Sequence, residues 1–161
     1  MSSDLVKELI NLSEMKLSLV KEILEITEKQ SECIKNNDIK ELQNYIDIKQ
    51  KRIDEVNKID SIFIEKYEEF KVINKIDSIE MIDVKEYPHL KHLKETINKI
   101  LLTLKEVQVI ETDNNEKIKN EFDNLKLKLK NIKQGKKIVK EYDNAYKIRN
   151  MNSSIFINIK K

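Results

Sequence analysis

The chain has 161 residues, of which 37% are charged, with one Gly, one Pro, one Cys and no Trp. So few turn-forming residues argue against a sheet protein, and this charged composition is typical of long solvated helices. The single Cys33 excludes an internal disulfide, and no apolar run is long enough to span a bilayer. Because the N-terminus also lacks the features of a signal peptide, we expect a cytoplasmic protein with no stable membrane insertion.

The formal net charge of +2 hides an asymmetry along the chain. Residues 117–161 contain 13 Lys or Arg and 4 Asp or Glu, whereas residues 1–116 contain 18 and 25. A basic end fits an acidic protein partner, nucleic acid or an anionic membrane surface, and it fits equally well a merely solvated helix face.

A first helix is predicted from Asp4 to about Lys35, because apolar residues recur there every seven positions on a wide face. Lys16 and Gln30 interrupt this face as snorkelling or register-setting residues would. Cys33 sits in the apolar row, where a thiol ordinarily serves as a small core residue. The row of seven-residue spacing is Leu5, Leu12, Leu19, Ile26 and Cys33.

Residues 36–38 break the first helix, and Asp38 is suited to cap the next one by accepting backbone N–H bonds. Residues 38–70 then carry two rows at a spacing of seven, which predict a second long helix. So short a connection makes the two helices an antiparallel hairpin. The first row is Leu42, Lys49, Val56, Phe63 and Phe70, and the second is Ile39, Ile46, Ile53, Asp60 and Tyr67. We expect the hairpin seam to comprise Leu12, Leu19, Ile26, Ile46, Ile53 and Val56.

We interpret residues 72–87 as a connection, after which Pro88 begins a third long helix. The polar residues 111–115 mark a kink, a break or an internal polar layer, and Gly135 is the expected end of the regular helix. Residues 136–148 are expected to lie apart from the main seam. The third row is Leu90, Ile97, Leu104, Glu111, Ile118, Leu125, Ile132 and Val139.

These patterns predict an all-α fold: an elongated antiparallel bundle of three long helices, with a flexible C-terminal tail. Residues 1–148 form the single bundle domain, and residues 149–161 form the tail.

No group of residues predicts enzyme activity, a metal or a cofactor. His89 and His92 are three residues apart on one helix face, but a structural zinc site normally needs four well-placed ligands. The two histidines are therefore interpreted as part of a solvated helix start.

The C-terminal third is the predicted partner-binding region, because its apolar residues outlast the helices available to cover them. Aromatic residues among lysines there also fit base stacking, but we favour a protein partner over nucleic acid since no nucleic-acid-binding fold accompanies them. Burial in a homodimer, or folding back on the hairpin, would also cover these residues. The candidate partner-binding residues are Phe122, Leu125, Leu129, Ile132, Val139, Tyr142, Tyr146 and Phe156.

Residues 24–56 resemble the first hairpin of FlgN-type flagellar export chaperones, with Lys49 or Lys51 followed by Ile53, Asp54 and Val56. Two further similarities are an internal Asn in the late helix (residue 114 or 115, followed by Ile118 and Phe122) and the ending at residues 153–161. That ending departs from the usual Ser-x-Phe-Ile-Asp-Lys-Lys form, with Asn158 in place of Asp and Ile159 inserted.

The resemblance implies a cytosolic chaperone that binds the terminal helices of hook-associated proteins of the hook–filament junction. It also implies delivery of these clients to the cytoplasmic part of the flagellar type III export gate. Two alternatives remain open at this point: a structural coiled coil that self-associates, and a nucleic-acid-binding accessory that uses the basic end.

Overall fold

The computed structural model describes residues 2–78, 88–129, 140 and 142–145. Helix α1 spans Ser2–Lys35, α2 spans Ile39–Asn74 and α3 spans Pro88–Leu129, and the described residues contain no strand. Helix α1 packs against both α2 and α3, whose backbones approach each other much less closely. The predicted bundle of three long helices is confirmed, with α1 at its centre.

Three apolar clusters show the direction of each helix, because every cluster takes residues from all three. The N-terminal end of α1 meets the C-terminal end of α2 and the start of α3, so α2 is antiparallel to the other two helices. One residue per helix represents each cluster: Leu9, Phe70 and Leu93 at this end, Ile23, Ile53 and Leu104 in the middle, and Ile34, Leu42 and Ile118 at the far end.

The turn between α1 and α2 uses residues 36–38. Asn37 adopts a left-handed backbone (φ 56°), which Asn tolerates better than most residues. The amides of Asn37 and Asp38 donate to the carbonyls of Ile34 (3.2 Å) and Cys33 (2.9 Å), the pattern of a Schellman motif. Asp38 Oδ1 accepts from the amide of Glu41 at 3.2 Å, which confirms the predicted cap.

The seam of α2 agrees with both predicted rows, whereas the seam of α1 agrees with the prediction only in part. Ile26 is buried as predicted, and so are Leu5 and Cys33 of the same row. Leu12 and Leu19 are only half-buried, because they flank the interface with α2. The central row of α1 instead follows alternating steps of three and four residues that face both neighbouring helices. This row is Val6, Leu9, Ser13, Lys16, Val20, Ile23, Thr27, Gln30 and Ile34. Four of its nine members are polar, which is why apolar spacing alone did not identify this row.

Helix α3 begins at Pro88, as predicted, and runs without a break through residues 111–115. Glu111 and Asn114 are buried there, so the internal polar layer is confirmed and the helix break is wrong. Residues 79–87 of the predicted connection and Gly135 lie outside the described residues. None of the three described helices combines the length and the hydropathy that a bilayer-spanning segment needs.

Candidate partner-binding site

A buried ion pair links α2 to α3 in the polar layer of the bundle. Lys49 and Glu111 pair through Nζ and Oε1, with 0% and 3% of their side chains exposed. Lys49 Nζ also donates to Gln30 Oε1 of α1 at 3.0 Å, so one ammonium group joins all three helices. Since an ionised group is costly to bury without such partners, the layer is built only when the three helices are in this register.

A second set of polar contacts joins α1 to α3, about one turn after Glu111 on α3. Ser31 Oγ donates to Asn114 Oδ1 at 2.6 Å, and Asn114 Nδ2 donates to the Thr27 carbonyl at 3.3 Å. Asn114 and Thr27 are fully buried, so these bonds satisfy polar groups that have no access to solvent. The Asn114 amide therefore sets the position of α3 along the axis of α1.

A third polar contact lies nearer the other end of the bundle. Lys16 in the central row of α1 pairs with Asp60 in the seam of α2, with Nζ and Oδ1 2.6 Å apart and both side chains mostly covered. Each charged residue that interrupts a seam row thus meets another on a neighbouring helix. The contacts of Glu111 and Asn114 set the position of α3 relative to the hairpin, and this position determines what α3 exposes at its far end.

Helix α3 extends beyond the end of the hairpin. Ile118 packs against Cys33 and Ile34, which are close to the last residue of α1. Since α1 and α3 are parallel and α3 continues to Leu129, its last eleven residues add about 16 Å at 1.5 Å per residue. The seam row that α1 covers as far as Ile118 therefore continues where α1 has ended.

Phe122, Leu125 and Leu129 form this continuation, at steps of three and four residues on one face of α3. All three side chains are half-buried. Lys126 Nζ lies 4.2 Å from the centre of the Phe122 ring, a cation–π contact. Leu127, on the opposite face of the same turns, is 64% exposed.

The far end of the hairpin is covered by the described helical residues 142–145. Ala145 is fully buried with Cys33, Ile34 and Leu42, and the Tyr142 hydroxyl donates to Asn37 Oδ1 at 3.3 Å. The expectation that residues 136–148 lie apart from the main seam is therefore wrong for Tyr142 and Ala145. No local pattern predicts this contact, because its partners are a turn residue and the last core residues of α1.

Tyr142 is itself 9% exposed, so its ring is not available to a partner in this arrangement. Burial, and then the nearby Glu121 carboxylate, raise the pKa of the Tyr142 hydroxyl. Burial also raises the pKa of the Cys33 thiol, as do the carboxylates of Asp38, Glu41 and Glu32. A thiol with a raised pKa and little exposure is a poor nucleophile, which favours the structural role predicted for Cys33. The cavity lined by Cys33 and Tyr142 encloses about 10 Å³, too little for a small-molecule ligand.

Four of the candidate residues, Ile132, Val139, Tyr146 and Phe156, lie outside the described residues. Of the two histidines weighed as metal ligands, His92 instead contacts Glu14 of α1, with Nε2 and Oε1 2.7 Å apart at an exposed position. No cluster of three His, Cys, Asp or Glu suited to a metal ion occurs in the described part of the chain.

Comparison with known proteins gives one match. The model of the family described as FlgN protein matches residues 1–149. No curated protein and no solved structure matches the chain significantly. The family match covers the hairpin, all of α3 and the described residues 142–145 that cover the hairpin end. The resemblance predicted from residues 24–56 is confirmed, and the chain belongs to the FlgN family.

Proposed function

We propose that this protein binds the terminal helices of hook-associated proteins in the cytoplasm and delivers them to the flagellar type III export apparatus. The FlgN family is a family of flagellar export chaperones, and membership in it supports the general part of this proposal. The particular clients and the delivery step are inferences from the family and from the form of α3.

The seam row of α3 continues beyond the end of α1, and the proposal rests on this continuation. A helix that docks in a groove presents apolar anchors at about i, i+3, i+4 and i+7, and the receiving surface must offer apolar side chains for them to pack against. Phe122, Leu125 and Leu129 supply such side chains, at a place where the covering helix α1 has already ended. A client helix lying there would extend the packing that α1 makes with α3.

Charge supports the same location. Lys126 and Lys128 lie in the last turn of α3, next to the apolar row. Lysines at the rim of an apolar surface attract a helix with acidic edges and speed its association. The candidate residues beyond α3 would add to this surface, with Tyr142 and Tyr146 nearer the contact to the export gate. Because Tyr142 is buried on the hairpin end, its use by a partner requires that it first leave Asn37.

Light scattering on the full chain, alone and with the purified terminal segment of a hook-associated protein, tests the proposal. We expect a defined complex whose mass is the sum of the two components. A chain that forms no complex with any hook-associated segment would refute the proposed clients.

The same measurement distinguishes the alternatives. A mass of two or more copies without client binding would favour the self-associating coiled coil. A shift of an oligonucleotide by the protein that weakens steeply with salt would favour nucleic-acid binding.

A further inference from the structure

The described helical residues 142–145, which we call the end segment, lie beside the proposed client surface. Ala145 is fully buried in the cluster that includes Ile118 of α3, and Tyr142 lines a cavity with the same Ile118. Tyr142 follows Leu129 by thirteen residues in the sequence, but it meets α3 at Ile118, about 16 Å back along the helix. The end segment therefore covers the part of α3 that comes directly before the client row.

The end segment and a client helix overlap in space. The proposed client row begins at Phe122, only four residues after Ile118, which is about 6 Å along the helix axis. Two packed helices keep their axes about 8–10 Å apart. A client helix that continues the packing of α1 onto Phe122 thus enters the volume that the end segment occupies.

The contact that seats the end segment is small, as a displaceable contact must be. The Tyr142 hydroxyl donates to Asn37 Oδ1 at 3.3 Å, which is long for an O–H donor. Ala145 contributes a single methyl group to the apolar cluster, and a cavity of about 10 Å³ remains beside Tyr142. Larger apolar side chains of a client would bury more surface at this place.

The end segment is kept near this place by the chain itself. A tethered segment has an effective concentration of about millimolar at its own site, so that even a weak contact is populated in the free protein. A client must compete with it, and its apparent affinity falls in proportion to the fraction of molecules whose site is free. We propose that residues 142–145 form an autoinhibitory contact, which a client helix displaces from the end of the hairpin. This inference rests on the proposed function, since it concerns the regulation of the same site.

Ala145→Asp tests the competition in the full chain, because it places a carboxylate against Ile34 and Leu42 and so unseats the end segment. Isothermal titration with the purified terminal segment of a hook-associated protein measures the affinity. We expect Ala145→Asp to strengthen binding about tenfold, the factor for a segment that is seated in about nine of ten free molecules. Asn144→Asp adds the same charge at an exposed position of the same segment, so this matched control should bind like the wild type.

Labelling of the Cys33 thiol by Ellman's reagent verifies the unseating without any client. The rate should be at least several-fold higher in Ala145→Asp than in Asn144→Asp, because Ala145 is buried in the same cluster as Cys33. Equal rates would mean that the end segment is not seated on the hairpin in solution, which would overturn the proposal.

Amide hydrogen exchange of the wild-type chain, followed by mass spectrometry, observes the displacement directly. Exchange in residues 142–145 should become at least several-fold faster when the client is bound. If these residues only stabilised the end of the bundle, their exchange would stay the same or become slower.

Two further results would overturn the autoinhibitory contact. These are a client affinity that Ala145→Asp leaves unchanged or lowers, and exchange in the end segment that the client does not accelerate. Failure of the proposed function would be distinct from both, because neither the wild type nor Ala145→Asp would then bind the client at all.

Discussion

Lys49 of α2 and Glu111 of α3 form an ion pair in the interior of the bundle, although both interrupt rows of apolar residues in the sequence. The pair joins two helices whose backbones are otherwise well separated, and Gln30 of the central helix accepts a hydrogen bond from the same ammonium group. A slip of either helix by one heptad would place a charge against an apolar layer. The pair therefore selects one register over others that apolar packing alone would allow.

Removing one member of this pair should lower the free energy of unfolding far more than removing both. Lys49→Met leaves the Glu111 carboxylate buried without its ammonium partner, for which we expect a loss of about 3–5 kcal/mol in the free energy of unfolding. Glu111→Met should cause a similar loss. The double variant should be more stable than either single variant, because two well-packed apolar side chains then replace the two charges.

Urea unfolding followed by circular dichroism measures these differences. The control is Lys16→Met, whose partner Asp60 keeps some access to solvent and whose loss should therefore be smaller. Single variants at Lys49 and Glu111 that unfold like the wild type would contradict the account of the polar layer.

Replacing the cap residue of α2 should destabilise the hairpin. Asp38→Ala removes the acceptor for the Glu41 amide, and we expect a loss of about 1 kcal/mol. Asp38→Asn keeps an oxygen in the same place and should retain most of the stability. Equal losses for Ala and Asn in thermal or urea unfolding would show that the cap contributes little.

Reactivity of Cys33 should report whether residues 142–145 are seated on the hairpin end. Tyr142→Ala opens the cavity that this side chain shares with Cys33, so labelling of the thiol by Ellman's reagent should become at least several-fold faster. Tyr67→Ala, in the cluster at the opposite end of the bundle, is the control and should leave the rate unchanged. A labelling rate that Tyr142→Ala does not alter would mean that this segment does not protect the thiol.

The buried Tyr142 hydroxyl predicts a dependence on pH. Its folded pKa lies above the ordinary value of 10.0, so the folded state keeps this proton when the unfolded state begins to release it. The stability from this group is fully present below about pH 10 and is lost as pH rises from there through the higher folded pKa. The difference in unfolding free energy between wild type and Tyr142→Phe should therefore be constant from pH 7 to 9 and should then shift against the wild type. A difference that stays constant up to pH 11 would show that Tyr142 titrates normally.

The helical hairpin could be predicted from the sequence because its determinants are local. The rows of α2 are spaced regularly, and Asp38 stands directly before Ile39 with a short turn behind it. The seam of α1 could not be predicted in the same way, because Thr27 and Gln30 are polar and become core residues only through partners on other helices. Gln30 meets Lys49 at a separation of 19 residues, and Thr27 meets Asn114 at a separation of 87.

The candidate site, too, could be predicted from the sequence only where its determinants are local. The row of Phe122, Leu125 and Leu129 follows from periodicity, and its position beyond the hairpin follows from the length of α3 relative to α1. The seating of Tyr142 on Asn37 depends on tertiary contact between distant residues, for which no local pattern exists.

The client site on α3 is tested most directly by two leucines on opposite faces of the end of this helix. Isothermal titration of the terminal segment of a hook-associated protein into wild type, Leu125→Asp and Leu127→Asp measures the affinity of each. We expect Leu125→Asp to weaken binding at least about tenfold, because it breaks the apolar row, while Leu127→Asp should bind like the wild type. Melting and circular dichroism should show that both variants remain folded. Equal affinities for the two variants, or a larger loss for Leu127→Asp, would contradict the assignment of this face as the client site.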